Sequence, residues 1–276
     1  MGIFDNCLLV TDIDGTLIFG DNLISERNIK AIEYFKSEGG LFTIATGRAA
    51  AGINGLYEMS GANTYAIVGN GSGIYDFYEK DYKVCNYLPH STKKTFVDLV
   101  KLFPEISVEV QHKDQIYKFY DSKDIDDHLH ILRMEAKLVD ISEVLGIEWT
   151  KASFISSNKE LLDKFYAYVS NQNYDGFYFL RTGVPYVEML SSKAKKEAGI
   201  SALVDILGNI KQTFAIGDYY NDIGMLDACD VSCAVAEAPL EVKKSADYIA
   251  CSCKDGAVAD FIGFLNKDMS CKQEYL

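Results

Sequence analysis

The chain has 276 residues, of which 48% are hydrophobic and only 4 are proline, so its composition predicts a packed globular protein rather than a disordered one. A formal net charge of −13 argues against partners such as nucleic acids or anionic membranes, because both need clustered lysine and arginine. The 7 cysteines include no Cys-x-x-Cys pair, and free thiols in this number predict a reducing compartment. No signal-peptide pattern is visible in the sequence and no apolar run approaches the ~20 residues of a membrane span, so we expect a cytoplasmic location.

The first predicted strand, Cys7-Leu8-Leu9-Val10, ends at two aspartates, Asp12 and Asp14. Since side chains alternate along a strand, both carboxylates are expected on the same side, where they repel each other unless a cation lies beside them. Gly15 allows the backbone to turn and its amide to approach an anion. The pattern favours phosphoryl transfer, in which one aspartate attacks phosphorus and the other handles a proton. Taken alone, the residues also fit a surface Asp-Gly turn.

Further strands and helices alternate after this motif. An amphipathic helix is predicted from near Ser25 to Gly39-Gly40, and Leu41-Phe42-Thr43-Ile44 is the next strand. The segment that follows, Ala45-Thr46-Gly47-Arg48, offers a hydroxyl and an amide for a phosphate, although a helix N-cap or an ordinary ion pair of the arginine are alternatives. With a third strand at Tyr65-Ala66-Ile67-Val68, the order predicts an α/β fold with a Rossmann-like, doubly wound parallel sheet.

Residues 81–185 differ in character, because alternating strands and aromatic-rich helices indicate an inserted α+β domain. The aromatic residues are interpreted as packing of a sheet on its helices rather than as a binding platform. The loop Gly69-Asn70-Gly71 before this region is interpreted as a turn near the hinge, with Asn70 as a substrate or cap contact. All four histidines lie in the inserted region, where solvated or capping roles are expected and a substrate contact stays open for one of them: His90, His112, His128 and His130.

After the insertion the chain is predicted to return to the parallel core near Tyr186. A lysine cluster follows, and then the strand Thr213-Phe214-Ala215-Ile216 ends at a second acidic motif. Asp218 and Asp222 in this motif supply the carboxylate oxygens that Mg²⁺ prefers. Each motif is weak evidence singly, but four motifs at successive strand ends favour one phosphate-handling site.

These motifs resemble those of the haloacid dehalogenase (HAD) superfamily phosphatases, in the Cof-type subgroup with an α/β cap. Asp12-Ile13-Asp14-Gly15-Thr16-Leu17 resembles the first motif of the family, Thr46 the second, and Gly217-Asp218-Tyr219-Tyr220-Asn221-Asp222 the fourth. The resemblance covers nearly the whole chain. It implies a hydrolase core made of residues 1–80 and 186–276, with residues 81–185 as the inserted cap.

One part of the chain departs from the family pattern. Around the third-motif lysine the subgroup usually reads Gly-Val-Ser-Lys-Gly, whereas this chain reads Lys193-Ala194-Lys195-Lys196-Glu197. Counting from Glu188 indicates Lys196 as the catalytic lysine. Lys195 or Lys193 takes its place if the loop differs in length, and the remaining lysines are expected on a solvated helix face.

The resemblance also implies roles for individual residues. Asp12 forms an aspartyl-phosphate, and Asp14 protonates the leaving group and then activates water. The remaining contacts bind the phosphoryl group or the substrate, and the metal is Mg²⁺. The implied phosphoryl ligands are Thr46 and Lys196, the other substrate contacts are Gly47, Arg48, Asn70 and Asn221, and the metal ligands are Asp12, the Asp14 carbonyl, Asp218 and Asp222.

The substrate class follows from family analogy, because the selecting residues lie in the cap. We expect a small phosphorylated metabolite, such as a sugar phosphate, and a phosphatase reaction. A phosphosugar mutase would use the same motifs, and a non-catalytic, metal-dependent binding protein is an alternative of a different class. The sequence carries no signal for the oligomeric state or the pathway.

Overall fold

The structure is a computed structural model and describes residues 2–20 and 23–273. In its first part, strands at Cys7–Thr11, Leu41–Ile44 and Ala66–Val68 alternate with two helices, as the sequence predicts, and four further short strands accompany them. Ser25 begins the first long helix, and its side chain accepts a hydrogen bond from the N–H of Asn28 at 3.1 Å. The elements of this part are β1 (Cys7–Thr11), β2 (Ile18–Phe19), β3 (Leu23–Ile24), α1 (Glu26–Ser37), β4 (Leu41–Ile44), α2 (Asn54–Ser60), β5 (Ala66–Val68), β6 (Gly73–Asp76) and β7 (Asp81–Cys85).

The middle and last parts of the chain have different patterns. In the middle part, several strands follow one another closely along the chain, whereas the last part returns to strict alternation. The middle elements are α3 (Thr92–Leu102), β8 (Ser107–His112), β9 (Gln115–Lys118), α4 (Lys123–Leu132), β10 (Ala136–Leu138), α5 (Ile141–Leu145), β11 (Lys151–Ile155), α6 (Lys159–Ser170), β12 (Phe177–Gly183) and β13 (Tyr186–Ser191). The last elements are α7 (Lys196–Leu207), β14 (Gln212–Gly217), α8 (Ile223–Asp227), β15 (Val231–Ala234), α9 (Leu240–Lys244), β16 (Tyr248–Ile249) and α10 (Ala257–Gln273).

A five-stranded parallel sheet forms the core, with the strand order β16-β15-β14-β1-β4. Every residue of β1 is buried, because helices cover both faces of the sheet. Leu9 belongs to the cluster that contains Phe35 of α1 and Phe261 of α10, whereas Leu8 belongs to the cluster that contains Ile200 of α7. Alternate residues of one strand thus pack on opposite helical layers, which confirms the predicted doubly wound α/β core.

The inserted region contains a six-stranded sheet with the order β10-β9-β8-β11-β13-β12. Its strands pair antiparallel, except for β9 with β10. Helices α3 and α6 pack on one face through an aromatic core, in which the rings of Phe96 and Trp149 meet edge to face at 5.1 Å. The aromatic residues of this region therefore pack a sheet on its helices, as we interpreted them from the sequence.

At both predicted domain boundaries, the chain passes from one sheet to the other a few residues later than the sequence predicts. Strand β7 pairs with β6 beside the core, and β13 pairs with β11 and β12 in the inserted sheet. The boundaries predicted before residue 81 and after residue 185 therefore each fall inside a hairpin. Strand β13 resembles a core motif of the family, and its largely apolar sequence does not show which of the two sheets it joins. We propose a division that follows the sheets, with residues 86–191 as the inserted region.

Candidate active site

The carboxyl ends of three parallel strands bring the predicted motifs together. Asp12 follows β1, Thr46 lies just beyond β4, and Asp218 follows β14. Because parallel strands end at the same edge of a sheet, these side chains meet there, where a cavity of about 420 Å³ opens between the core and the inserted region. The predicted site residues that line this cavity are Asp12, Asp14, Thr46, Gly47, Arg48, Asn70, Asp218 and Asn221.

Lys196 is the lysine that reaches this site. It is the first residue of α7 and is 2% exposed, and its Nζ lies 2.6 Å from Oδ1 of Asp12 and 2.6 Å from Oδ1 of Asp222. Lys193 and Lys195, the two alternatives that the sequence left open, are exposed. The structure therefore places Lys196 against the predicted nucleophile and the fourth motif, and leaves the other two lysines on the surface.

The charges at the site do not balance. Burial disfavours the charged form of Lys196, but the carboxylates of Asp12 and Asp222 outweigh this effect and raise its pKa above the ordinary value. Burial, together with the charge of Asp222, raises the pKa of Asp218 to about 7. Three carboxylates thus share one ammonium group, and the excess of negative charge favours a bound cation.

The carboxylate oxygens form a group that suits a divalent metal. In residues 2–20 and 23–273, ligand atoms of Asp12, Asp218 and Asp222 lie within 4.8 Å of one another. Oxygen donors of this kind match the preference of hard cations such as Mg²⁺ and Ca²⁺. Thr16 donates a hydrogen bond to Oδ1 of Asp218 at 3.0 Å and so orients that carboxylate. The donor set therefore fits a divalent cation.

Asp222 differs from the other two aspartates because both of its oxygens are already engaged. Oδ1 accepts from Lys196, and Oδ2 accepts from the backbone N–H groups of Asp218 and Tyr219, each at 3.0 Å. Its side chain is fully buried and does not line the cavity. Asp222 thus fixes the turn after β14 and the position of Lys196, whereas Asp12 and Asp218 present carboxylates to the cavity.

Asp14 has a separate partner. Arg48 donates to both of its oxygens, from Nε at 2.9 Å and from Nη2 at 2.5 Å, so the pair is bidentate. Of the alternatives that the sequence left open for Arg48, the structure shows this ion pair. The backbone N–H of Arg48 also donates to Oγ1 of Thr46 at 3.1 Å, which leaves the hydroxyl proton of Thr46 free to donate to a ligand.

A glycine is required where the two acidic motifs meet. Gly15 has a φ of +89°, and a Cβ at this position would lie 2.5 Å from Oδ2 of Asp218. A side chain here would be strained and would displace the Asp218 carboxylate. The prediction that Gly15 turns the backbone after Asp14 is therefore confirmed, with the additional reason of close contact.

Two charged residues at the site were missed by the sequence analysis. Lys151 of β11 and Glu188 of β13 are buried in the cavity wall, and Nζ of Lys151 lies 2.5 Å from Oε1 of Glu188. The other oxygen, Oε2, accepts from Nδ2 of Asn70 at 2.8 Å, and Oδ1 of Asn70 accepts from Asn221 at 3.2 Å. A continuous polar chain therefore joins the inserted sheet to the fourth motif. A lone glutamate within the apolar run of β13 was the available signal.

Comparisons with known proteins agree with this geometry. Residues 9–262 match the model of the haloacid dehalogenase-like hydrolase family. The chain is 24% identical to the 5-amino-6-(5-phospho-D-ribitylamino)uracil phosphatase YitU of Bacillus subtilis strain 168, over 92% of this chain and 96% of that protein. A haloacid dehalogenase-like hydrolase structure from Bacteroides thetaiotaomicron aligns with a TM-score of 0.82 at 22% identity, over 95% and 99% of the two chains. The HAD subclass IIB sugar phosphatase BT4131 aligns with a TM-score of 0.81 at 21% identity, over 94% and 98%.

The fold and the site define an α/β protein with a parallel core, an inserted cap and a cluster of aspartates at the carboxyl ends of the core strands. Because the family model covers most of its length, the chain belongs to the haloacid dehalogenase-like hydrolase family, which confirms the resemblance found in the sequence. Within that family it is a phosphoric monoester hydrolase. Among the described residues, no helix combines the length and the apolar character needed to cross a membrane.

Proposed function

We propose that the chain is a Mg²⁺-dependent phosphatase that hydrolyses a small phosphorylated metabolite, with sugar phosphates as the expected class, through an aspartyl-phosphate on Asp12. The observation that supports this most strongly is the position of Lys196, held between Asp12 and Asp222 beside the Asp218 carboxylate. The sugar phosphatase BT4131 among the structural neighbours is consistent with the expected substrate class. The free thiols of the described cysteines suit a reducing compartment, and we place the protein in the cytoplasm.

The first half of the proposed reaction transfers the phosphoryl group to the protein. Oδ1 of Asp12 is held by Lys196, which leaves Oδ2 to attack phosphorus. A new O–P bond forms while the P–O bond to the leaving alcohol breaks, and Asp14 gives its proton to the leaving oxygen. Since Arg48 pairs with Asp14 in the structure, binding of the phosphoryl group is proposed to draw Arg48 toward the new anion and to release Asp14.

The second half clears the intermediate. Asp14 takes a proton from a water molecule as its oxygen attacks phosphorus, the Asp12–phosphorus bond breaks, and inorganic phosphate leaves. Lys196, the Thr46 hydroxyl, the Gly47 amide and Asn221 are proposed to bind the phosphoryl oxygens throughout. Asp12, the Asp14 carbonyl and Asp218 would hold Mg²⁺, with Asp222 as the further carboxylate of the group. When bound, the cation neutralises the charge that the carboxylates and the phosphoryl oxygens bring together.

The experiment that tests this proposal measures phosphate release over a panel of phosphorylated metabolites before and after chelation. Turnover should cease on chelation and return with Mg²⁺. Ca²⁺ should restore it poorly, because it prefers more ligands and longer bonds than Mg²⁺ does. Full activity after exhaustive chelation contradicts the proposal. An isomerised product would identify a mutase, and tight binding without turnover would identify a binding protein.

A further inference from the structure

The polar chain between the inserted sheet and the fourth motif has a fixed order of donors and acceptors. Glu188 is 5% exposed, its Oε1 accepts from Nζ of Lys151, and its Oε2 accepts from Nδ2 of Asn70 at 2.8 Å. An ionised carboxylate accepts hydrogen bonds and cannot donate them. The nitrogen of the Asn70 amide must therefore face Glu188, and the oxygen must face the other way.

Asn70 extends this order to Asn221. Its Oδ1 accepts a hydrogen bond from Nδ2 of Asn221 at 3.2 Å. A side-chain amide can adopt two orientations that differ by exchange of its oxygen and nitrogen, and the hydrogen-bonding partners decide between them. The acceptor at Glu188 thus selects one orientation for Asn70 and, through Asn70, one orientation for Asn221.

Asn70 is held firmly at the centre of this chain. It is 1% exposed, and its backbone N–H donates to the carbonyl oxygen of Thr46 at 2.8 Å. Its φ of +54° lies in the left-handed region, which asparagine and aspartate adopt more readily than most other side chains. A Cβ on Gly47 would lie 3.0 Å from Nδ2 of Asn70, so the amide packs against the second motif. The side chain can therefore transmit an orientation rather than absorb it.

Asn221 lines the cavity together with Asp12 and Asp218, so the orientation of its amide decides which of its atoms meet a phosphoryl group. We propose that Glu188 is a positioning residue, which acts through Asn70 to hold the Asn221 amide in the orientation that the phosphoryl site requires. This inference rests on the proposed function, in which Asn221 binds the phosphoryl oxygens. Because Glu188 belongs to the inserted sheet, the orientation depends on contact between that sheet and the core.

Glu188→Gln tests the order of donors and acceptors. Lys151 can only donate, so the single oxygen of the new amide should face Lys151, and the new NH₂ group should face Asn70. Asn70 then turns its oxygen toward position 188 and its nitrogen toward Asn221, where two NH₂ groups oppose each other. We expect kcat/KM for an aryl phosphate to fall about tenfold, and the affinity for inorganic phosphate in Mg²⁺ to fall by a similar factor.

Asn70→Asp provides the compensating change. Alone, it places a second carboxylate against Glu188 and should cause a loss of similar size. In the double variant Asn70→Asp/Glu188→Gln, the new amide donates to the new carboxylate, which also accepts from Asn221. The net charge is that of the wild type, with the carboxylate moved one residue along the chain. We expect the double variant to return to within about threefold of the wild type, whereas independent losses would multiply to about a hundredfold.

Glu160→Gln, Asn209→Asp and their combination are matched controls. Both residues are exposed and do not line the cavity, so these variants should leave kcat/KM and phosphate affinity unchanged. If Asn70→Asp alone does not fold, the comparison of Glu188→Gln with the double variant carries the same test. A double variant that is no more active than Glu188→Gln, or that binds phosphate no more tightly, overturns the inference.

The two measurements separate this inference from the proposed function. Phosphate release from an aryl phosphate by the wild type, without recovery in the double variant, overturns the inference and supports the phosphatase. Recovery of phosphate affinity in the double variant, without phosphate release from any ester by the wild type in Mg²⁺, overturns the phosphatase and supports the positioning of Asn221 by Glu188.

Discussion

The parallel core and the inserted region contribute to the same cavity by different structural rules. In the core, Asp12, Thr46 and Asp218 each follow the end of a strand, and the order of strands along the chain is enough to bring them together. In the inserted region, Lys151 and Glu188 lie inside antiparallel strands, and their position depends on which face of the sheet is covered. We infer from this comparison that the core supplies the residues for the reaction, whereas the inserted region determines which substrates fit the cavity.

The largest effects are expected from substitutions of Asp12 and Asp14, the two aspartates that follow β1. These variants test the contribution of the core to the reaction. Asp12→Asn should abolish turnover, because it removes the nucleophile. Asp14→Asn should slow hydrolysis of alkyl phosphates by roughly 10²–10⁴-fold, since a sugar alkoxide leaves badly without a proton. With an aryl phosphate, the same variant should release a burst of phenolate in rapid mixing and then turn over slowly. If Asp14→Asn shows no burst while Asp12→Asn still turns over, the two roles are reversed.

Lys196→Ala should have the next largest effect. It removes a charge from the phosphoryl site, which costs on the order of 10²–10³-fold in kcat. It also leaves Asp12 and Asp222 buried without their cation, so the free energy of unfolding should fall by about 3–5 kcal/mol. Steady-state kinetics and chemical denaturation measure the two effects.

The control for Lys196 is Lys193→Ala. Lys193 lies on the surface, so this variant should stay within about 0.5 kcal/mol of the wild type. An active Lys196→Ala protein beside an inactive Lys193→Ala or Lys195→Ala protein would move the catalytic role to another lysine.

The ionisation of Asp218 should have a smaller effect, on the free energy of unfolding, and this effect depends on pH. Its pKa is about 7 in the folded protein against an ordinary 3.8, so the folded state takes up a proton that the unfolded chain does not. The free energy of unfolding of metal-free protein should therefore fall as the pH rises from about 4 to 7. Above pH 7 the Asp218 carboxyl is ionised in both states, and the whole loss of stability should persist.

Asp218→Asn should remove this penalty and stabilise the metal-free protein at pH 8 by up to about 4 kcal/mol. Thermal unfolding in a chelator at pH 4–8 measures the difference, with the exposed Asp205→Asn as the control. Saturating Mg²⁺ should abolish the advantage of the variant. A wild-type protein more stable than Asp218→Asn at pH 8 without metal would contradict the expected sign.

The smallest effect tests the polar chain between the two regions. Glu188→Gln leaves one acceptor oxygen for Lys151 and Asn70 together and removes the charge opposite the buried Lys151, which should cost about 1–3 kcal/mol of stability. KM should rise as well, because both residues line the cavity. Denaturation and kinetics of this variant are compared with those of Glu160→Gln, an exposed change in the same region. Equal stability of Glu188→Gln and Glu160→Gln would show that the polar chain between the two regions does not stabilise the protein.

The sequence predicted the core well because chemistry and chain order coincide there. Asp12, Thr46, Asp218 and Asn221 have side chains suited to phosphate or metal, and each follows a buried strand. The choice among three lysines needed the structure, because it depends on where α7 begins.

The inserted region was harder to predict for a physical reason. A polar residue in an alternating strand is expected to face solvent, and Lys151, Glu188 and Glu109 break that expectation because their face of the sheet is covered. The points where the chain changes sheets were hard to predict for a related reason, since the sequence of a strand in a hairpin does not show which sheet that strand joins.

The path of the chain out of the inserted sheet has a consequence for protein engineering. Glu188, in the last strand of that sheet, and Lys196, at the start of α7, lie on one short continuous segment. A chimaera that replaces the inserted region with that of a relative should be spliced after Cys85 and after Ser191. Joints at Asp81 and Tyr186 would separate Glu188 from Lys151 and impose a foreign strand on the sheet. With the joints at Cys85 and Ser191, the transplanted module would carry its own strand pairing while Lys196 stays on its native helix.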